Sequence, residues 1–272
     1  MKLPAFMIIA KKEVMDNIRN KWIIILTIIF ALLTILVSYA GSLGNVWADL
    51  EITIALMMFL VQFIIPIIGL TLGYGSIVGE IERGSMNSLL SHPIDRLEIV
   101  FGKFIGLGAV LSITILIGFG IAGIIIGIFA EDVNYISYMI FILSSILIGL
   151  VFIALSLLFS SYFKKRSSSM GIAIFSWFFF TIIWSFIINI ILILTVSMEN
   201  LQDPNFIAPD WFHALNLVNP LSAYSSLVYL NLVNIDYYLP DFYSSGLMLI
   251  ILFIWILTPL LISIILFEKR DI

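Results

Sequence analysis

The stretch GEIERGSMNSLLSHPIDRLEIVFGKF, residues 79–104, decides the fold because of where it sits. It carries Glu80, Glu82, Arg83, Asp95, Arg96, Glu98 and Lys103. On either side, residues 52–78 and 104–130 contain no Asp, Glu, Lys, Arg or His. A run of about 20 mostly apolar residues is enough to cross a bilayer core as a helix. Two such runs flanking a charged segment read as two spans joined at a membrane surface.

Four more runs of this kind lie outward, at residues 22–41, 135–163, 170–197 and 245–267. Strands of a membrane barrel would alternate apolar and polar side chains over about 10 residues each. These runs are longer and continuous, so the sequence predicts an all-α polytopic membrane protein with six transmembrane helices. Composition agrees. The chain is 62% hydrophobic and only 11% charged, against about 25% charged residues in soluble domains. A net charge of −4 gives no case for nucleic acid. The absence of cysteine excludes disulfides, thiolate metal sites and a cysteine nucleophile.

The charges order the loops. Lys2, Lys11, Lys12, Arg19 and Lys21 precede the first run, and Arg83, Arg96 and Lys103 lie between the second and third. Lys164, Lys165 and Arg166 lie between the fourth and fifth, and Lys269 and Arg270 follow the sixth. Together these are all 13 basic residues. The alternate loops carry Asp49, Glu51, Glu131, Asp132, Glu199, Asp203, Asp210, Asp236 and Asp241. Basic loops stay inside, so both termini are expected to be cytoplasmic. The first run is too long, and starts too late, for a cleaved signal peptide.

Three segments outside the spans are expected to have structure. In residues 1–21 and on to Trp22, Met7, Lys11, Val14, Met15, Ile18 and Trp22 follow helical spacing, which predicts an amphipathic helix lying in the interface, the other reading being a cytoplasmic extension of the first span. In residues 79–103, Ser85 suits the cap of a turn edged by Met86, Leu89 and Leu90. His92-Pro93 breaks that turn, and Pro93 suits the first turn of a helix feeding the third span. Two readings stand for this loop, a lever held by two spans or a solvated connector. In the outer loop 198–244, residues 220–230 suit a short helix behind Asn219-Pro220, capping the bundle or simply folded outside it.

No Asp, Glu, Lys, Arg or His falls inside any span. Ion-coupled carriers commonly place carboxylates or broken helices at midplane, and two His without Cys are thin catalytic material. An energy source is therefore expected outside the chain. The polar residues within spans are few: Gln62, four residues before Pro66, and Asn189, with hydroxyls at Thr71, Ser156 and Ser176. Gln62 and Asn189 either line a pathway, with Pro66 kinking the helix beside it, or bond between helices. Gly106-x-Gly108 and Gly118-x-Gly120-x-x-Gly123 suit close helix packing. Met57, Met58, Met198, Asp210 and His213 have no ligand spacing, so no metal or other cofactor is expected in this chain.

Gly79-Glu80-Ile81-Glu82-Arg83-Gly84-Ser85, then Leu89-Leu90-Ser91-His92-Pro93-Ile94-Asp95-Arg96 and Gly102-Lys103-Phe104, resemble the inner loop of ABC-2 type permeases. Ser85 stands where that family has Thr, and His92 where an aromatic is common. Ala10-Lys11-Lys12-Glu13 with Arg19-Asn20-Lys21-Trp22, and Asn219-Pro220, extend the resemblance over the whole chain. Ser225 and Ser226 stand where relatives often carry an Arg after Asn-Pro. It is nearest the permeases of the nitrous-oxide-reductase maturation (copper-processing) group.

The resemblance implies one transmembrane domain over residues 1–272, paired as a homodimer in a prokaryotic cell membrane above two soluble ABC ATPase subunits that hold ATP and Mg. It implies that Glu80, Glu82, Arg83, Gly84, Ser85, Leu89, Leu90, Pro93 and Arg96 form the ATPase-coupling element, and that Gln62, Pro66 and Asn189 belong to the pathway. It leaves room for an extracytoplasmic partner. The function it implies is that of an ATP-driven permease, an exporter, not itself an enzyme. The other readings are a membrane scaffold docking a soluble partner, or a secondary carrier.

Overall fold

A computed structural model of the chain describes residues 4–43, 50–129, 134–197, 200, 203, 206–232 and 240–271. Among them, all regular structure is helical. Asp49, Glu131, Asp132, Glu199, Asp236 and Met198 lie outside the described residues.

The long helices are α2 (Lys21–Leu43), α3 (Leu50–Gly73), α6 (Arg96–Phe129), α7 (Tyr135–Tyr162) and α12 (Ser245–Glu268). A further pair, α8 (Arg166–Phe178) and α9 (Trp184–Thr195), is joined by a π-helical turn at Phe179–Ile183. The shorter helices are α1 (Ala5–Ile18), α4 (Val78–Glu82), α5 (Ser85–Leu90), α10 (Asp210–Asn216) and α11 (Pro220–Tyr229). Five helical stretches are long and apolar enough to cross a membrane; α1 and α2, bent by 72° at their junction, make a sixth if taken as one span. The ends follow local chemistry. Asn134 accepts from the Ser137 amide to start α7, and Ser244 accepts from Leu247 to start α12.

α7 is the axis. Of its most apolar window, 72% is buried within the protomer, against 11% for α8–α9. Its serines make the polar joints. Ser161 shares a 2.7 Å hydrogen bond with Ser263 of α12, Ser145 meets the Tyr224 hydroxyl at 3.2 Å, and Tyr138 donates to the Phe119 carbonyl. Ser160 accepts from the amides of both Ile77 and Val78 at 3.0 Å, which ties the turn after α3 to the end of α7. An unpaired backbone amide away from water is costly, so this hydroxyl satisfies two amides at the start of α4.

Two expectations are corrected, both in the loop after α3. In α1 and just beyond it, Met7, Ile8, Met15, Ile18 and Trp22 are exposed, while Ile9, Ala10 and Glu13 are buried against the bundle. In a bilayer the apolar face is free to turn outward, and small residues make the contact. A Cβ on Gly102 would meet the Phe6 carbonyl at 2.6 Å, and one on Gly106 the Ala10 carbonyl at 2.6 Å. Ser85 is not the cap of its turn. Gly84, at φ +72°, holds that position, because a left-handed residue is needed there. Pro93 does not open the next helix, which begins at Arg96 and runs unbroken through the third span.

Candidate functional site

The loop between α3 and α6 folds back on the bundle rather than hanging from it. After Gly73, the turn 74–77 leads into α4, where Val78, Gly79 and Glu80 are buried and Glu82 is exposed. Gly84 then reverses the chain, and α5 buries Met86 completely with Leu89 and Leu90 half-buried beside it. Ser85 reaches back to the Glu80 carbonyl at 3.2 Å. Pro93 lies exposed in the irregular link to α6.

The two glutamates of Gly79-Glu80-Ile81-Glu82 do different things. Glu80 turns inward and is 8% exposed. Its Oε1 accepts from Lys12 at 2.7 Å, and its Oε2 lies 3.0 Å from Lys103, itself 1% exposed. Lys103 is also 2.5 Å from Glu13 of α1. Buried Glu13, Glu80 and Lys103, with the half-exposed Lys12 at the rim, thus make an electroneutral group joining α1, α4 and α6. Neutrality is what makes it tolerable, since an unpaired buried charge costs several kcal/mol. Burial pulls the Lys12 ammonium down, but the hydrogen bond and charge of Glu80, with Glu13 and Asp16 nearby, outweigh it and hold Lys12 above the usual lysine value.

Glu82 points the other way. Its Oε1 accepts from the Arg166 amide at 2.9 Å, capping the first residue of α8. Ser169 adds a 2.6 Å bond to the Tyr74 carbonyl, and Arg166 stacks over the Tyr74 ring at 5.3 Å. The loop is thereby fastened to the start of the α8–α9 span, the one least buried in the protomer. Arg83 is exposed, its Nε bonded to the Gly79 carbonyl. Arg96 does not face outward: its Nη1 donates to the carbonyls of Phe267, Glu268 and Arg270 at the end of α12. A cation on a helix C-terminus is favourable.

The residues proposed for a pathway are less gathered. α3 runs through Pro66 without interruption. Gln62 is half-buried, and among the described residues its side chain makes no hydrogen bond. Asn189 is exposed on α9 and donates only to Ser185 within its own helix, at 2.7 Å. Neither residue bonds to another helix of the protomer. Between α3 and α8 lies a groove of about 340 Å³, lined by Ile67, Thr71, Tyr74, Ile174 and Trp177 among others. Trp177 closes one side by donating to the Phe63 carbonyl at 3.1 Å.

Residues 7–272 match the model of the ABC-2 family transporter proteins. The chain belongs to that family. A protein described as "Probable ABC transporter permease protein NosY" from Stutzerimonas stutzeri is 33% identical over 79% of this chain and 78% of its own. One of the same description from Pseudomonas aeruginosa is 34% identical over 82% and 80%. The chain is thus an ABC-2 permease near the NosY permeases, and a membrane-spanning component rather than the ATPase itself.

For this permease, the sequence singled out Glu80 and Glu82 but not what they hold. Lys12, Glu13 and Lys103 entered the reading as loop charge or as part of the family resemblance, and Arg166 as loop charge, none with a partner. Their pairings span up to 90 residues of sequence, and no local periodicity reports such contacts. Glu13 alone left a mark: it is an acid placed on the face of α1 that packs against two glycines.

Proposed function

We propose that this permease is the six-span subunit of an ATP-driven exporter, working as a homodimer on two separate ATPase subunits, in a prokaryotic cell membrane with both termini in the cytoplasm. The side assignment follows from the basic loops. The observation that carries the dimer is the α8–α9 span, only 11% of whose apolar window is buried in the protomer. Its outer face includes Asn189 and Ser185, and an amide turned toward lipid is disfavoured. A second copy, with a route between the two, gives that face a polar partner. ATPase closure would push the α4–α5 element. Glu82 would pass the displacement to α8, and Glu80 would hold α1 and α6 as the fixed side.

The chain has no cysteine, so single-cysteine variants report directly. Asn189→Cys in native membranes is expected to form a dimer on mild oxidation. Met139→Cys, equally exposed on α7, is expected to remain monomeric. Equal cross-linking of the two would remove the α9 interface. Copurification in mild detergent is expected to bring down a soluble protein with a P-loop; the chain recovered alone across several detergents would favour the scaffold reading.

A further inference from the structure

At the end of the bundle that bears the basic loops, a cleft of about 430 Å³ opens between α1 and the turn following α3. Its charged lining is Glu13, Asp16, Arg19, Glu80, Arg83 and Arg166. Glu13 and Glu80 are already neutralised by Lys103 and Lys12. Among the described residues no carboxylate lies in ion-pair contact with Arg19, Arg83 or Arg166, and Asp16 is the one lining acid left over. Glu82, just outside, accepts from the Arg166 amide and keeps its charge, so three arginines stand against the two carboxylates of Asp16 and Glu82. The cleft therefore holds a surplus of positive charge.

The arginines are also brought close together. The Cβ position of Gly79 lies 3.9 Å from Arg83 Nη2 and 3.9 Å from Arg166 Nε, so the two guanidinium groups flank a single glycine. A Cβ on Gly75, one turn earlier, would come within 2.9 Å of Arg166 Nε. Bare glycine surface lets the Arg166 side chain lie flat there. Like charges gathered without an acid between them are the arrangement that recognises a multivalent oxyanion, which arginine binds in a bidentate manner.

The cleft is not isolated. Thr71 and Tyr74 line both it and the groove between α3 and α8. That groove is apolar apart from these two hydroxyls. The Tyr74 oxygen accepts from Arg166 at 3.1 Å, which leaves its own proton to donate. An arginine-lined mouth thus continues into a greasy slot along the two helices assigned to the route.

We infer that the permease takes an anionic amphiphile, its phosphate-like head among Arg19, Arg83 and Arg166 and its apolar body in the α3–α8 groove. This deepens the transport reading above and rests on it. A soluble oxyanion would use the mouth and not the groove; a neutral hydrophobe would use the groove and not the mouth.

Trp177 in the groove supplies the readout. The full-length protein in maltoside micelles is titrated with brominated dodecyl phosphate, brominated dodecyl phosphocholine or inorganic phosphate, following tryptophan quenching. Trp177→Phe defines the groove signal. The expected result is a preference of about tenfold for the phosphate ester over the zwitterion, equivalent to one charge-assisted contact. Arg19→Gln with Arg83→Gln is expected to erase that preference, and Arg19→Lys with Arg83→Lys to keep most of it. Inorganic phosphate is expected to compete weakly. Equal binding of ester and zwitterion, or a preference that survives the double Gln variant, overturns the proposal. Competition by inorganic phosphate as tight as the ester also overturns it, leaving a site for a free anion. Cysteine cross-linking through α9 does not depend on head-group preference, so the transport reading and this one fail separately.

Discussion

The side-chain amide of Asn219 donates to the carbonyl of Phe180 at 2.7 Å, while its oxygen accepts from the Leu221 amide at 2.9 Å. One residue thus caps α11 and holds the π-helical turn between α8 and α9. A π turn shifts the hydrogen-bond ladder and leaves backbone groups in need of partners. Asn219 supplies one from a different segment and so joins α11 to the least buried span.

Asn219→Ala is expected to remove both bonds and Asn219→Ser only the longer reach, since serine still caps but falls short of Phe180. The difference in thermal stability between the two variants isolates the cap, worth about 1 kcal/mol. Both are expected to lose ATP-dependent transport to a similar degree. Transport retained by Asn219→Ser would show that the link to the π turn is dispensable.

Removing Lys103 is expected to be severe. Lys103→Met leaves Glu13 and Glu80 buried with only Lys12 to serve them, a loss of about 3–5 kcal/mol by the usual cost of breaking a buried pair. Adding Glu13→Gln restores neutrality and should recover a large part of it. Thermal melts of the single and double variants, followed by size exclusion, test this. No recovery in the double variant would mean that Glu13 is not held by its charge.

The seat of α1 is equally specific. A Cβ at Gly106 would lie 2.6 Å from the Ala10 carbonyl and 2.7 Å from the Glu13 Cβ. Gly106→Ala is expected to lift α1, at about 1–3 kcal/mol, and to speed tryptic cleavage near Arg19 and Lys21. Gly120→Ala, which meets nothing within 4 Å, should leave the digest unchanged.

The short helix α10, which carries His213, is expected to weaken in mild acid. Burial lowers the His213 pKa below its usual 6.5, against the opposing pull of its Ala208 backbone hydrogen bond and of Asp210. The folded form binds the proton less readily than the unfolded one. Stability is therefore full above about pH 6.5 and falls as pH drops through that value toward the lower folded pKa. Melting at pH 7.5 and 5.5 should show the drop, and His213→Gln should reduce it.

The sequence made the helices legible because membrane spans announce themselves by length and by missing charge. The run read at 135–163 is the helix Tyr135–Tyr162, and Asn219-Pro220 does start a helix. Faces were harder. In water an apolar stripe must turn inward, whereas in lipid it is free to turn out, and α1 does so. The sequence therefore placed α1 without predicting which side would touch the bundle. Arg96 entered as a loop charge and, by resemblance, as part of the coupling element; its partners, carbonyls at the end of α12, lie 171 residues away in sequence and could not be read locally. The π turn left no signal, since Phe179–Ile183 has the same composition as its neighbours.

The closure of this bundle also dictates an order of manufacture. Arg96 waits for the carbonyls of Phe267, Glu268 and Arg270, and Arg270 in turn donates to those of Ser160 and Ser161. Ser263 pairs with Ser161 on the same face. Until α12 joins them, α7 and the loop that bears Arg96 therefore have donors and acceptors open. A chain truncated before α12 would enter the membrane and then offer those groups to the insertion machinery and to quality-control proteases. α12 thus acts as the bolt of the bundle.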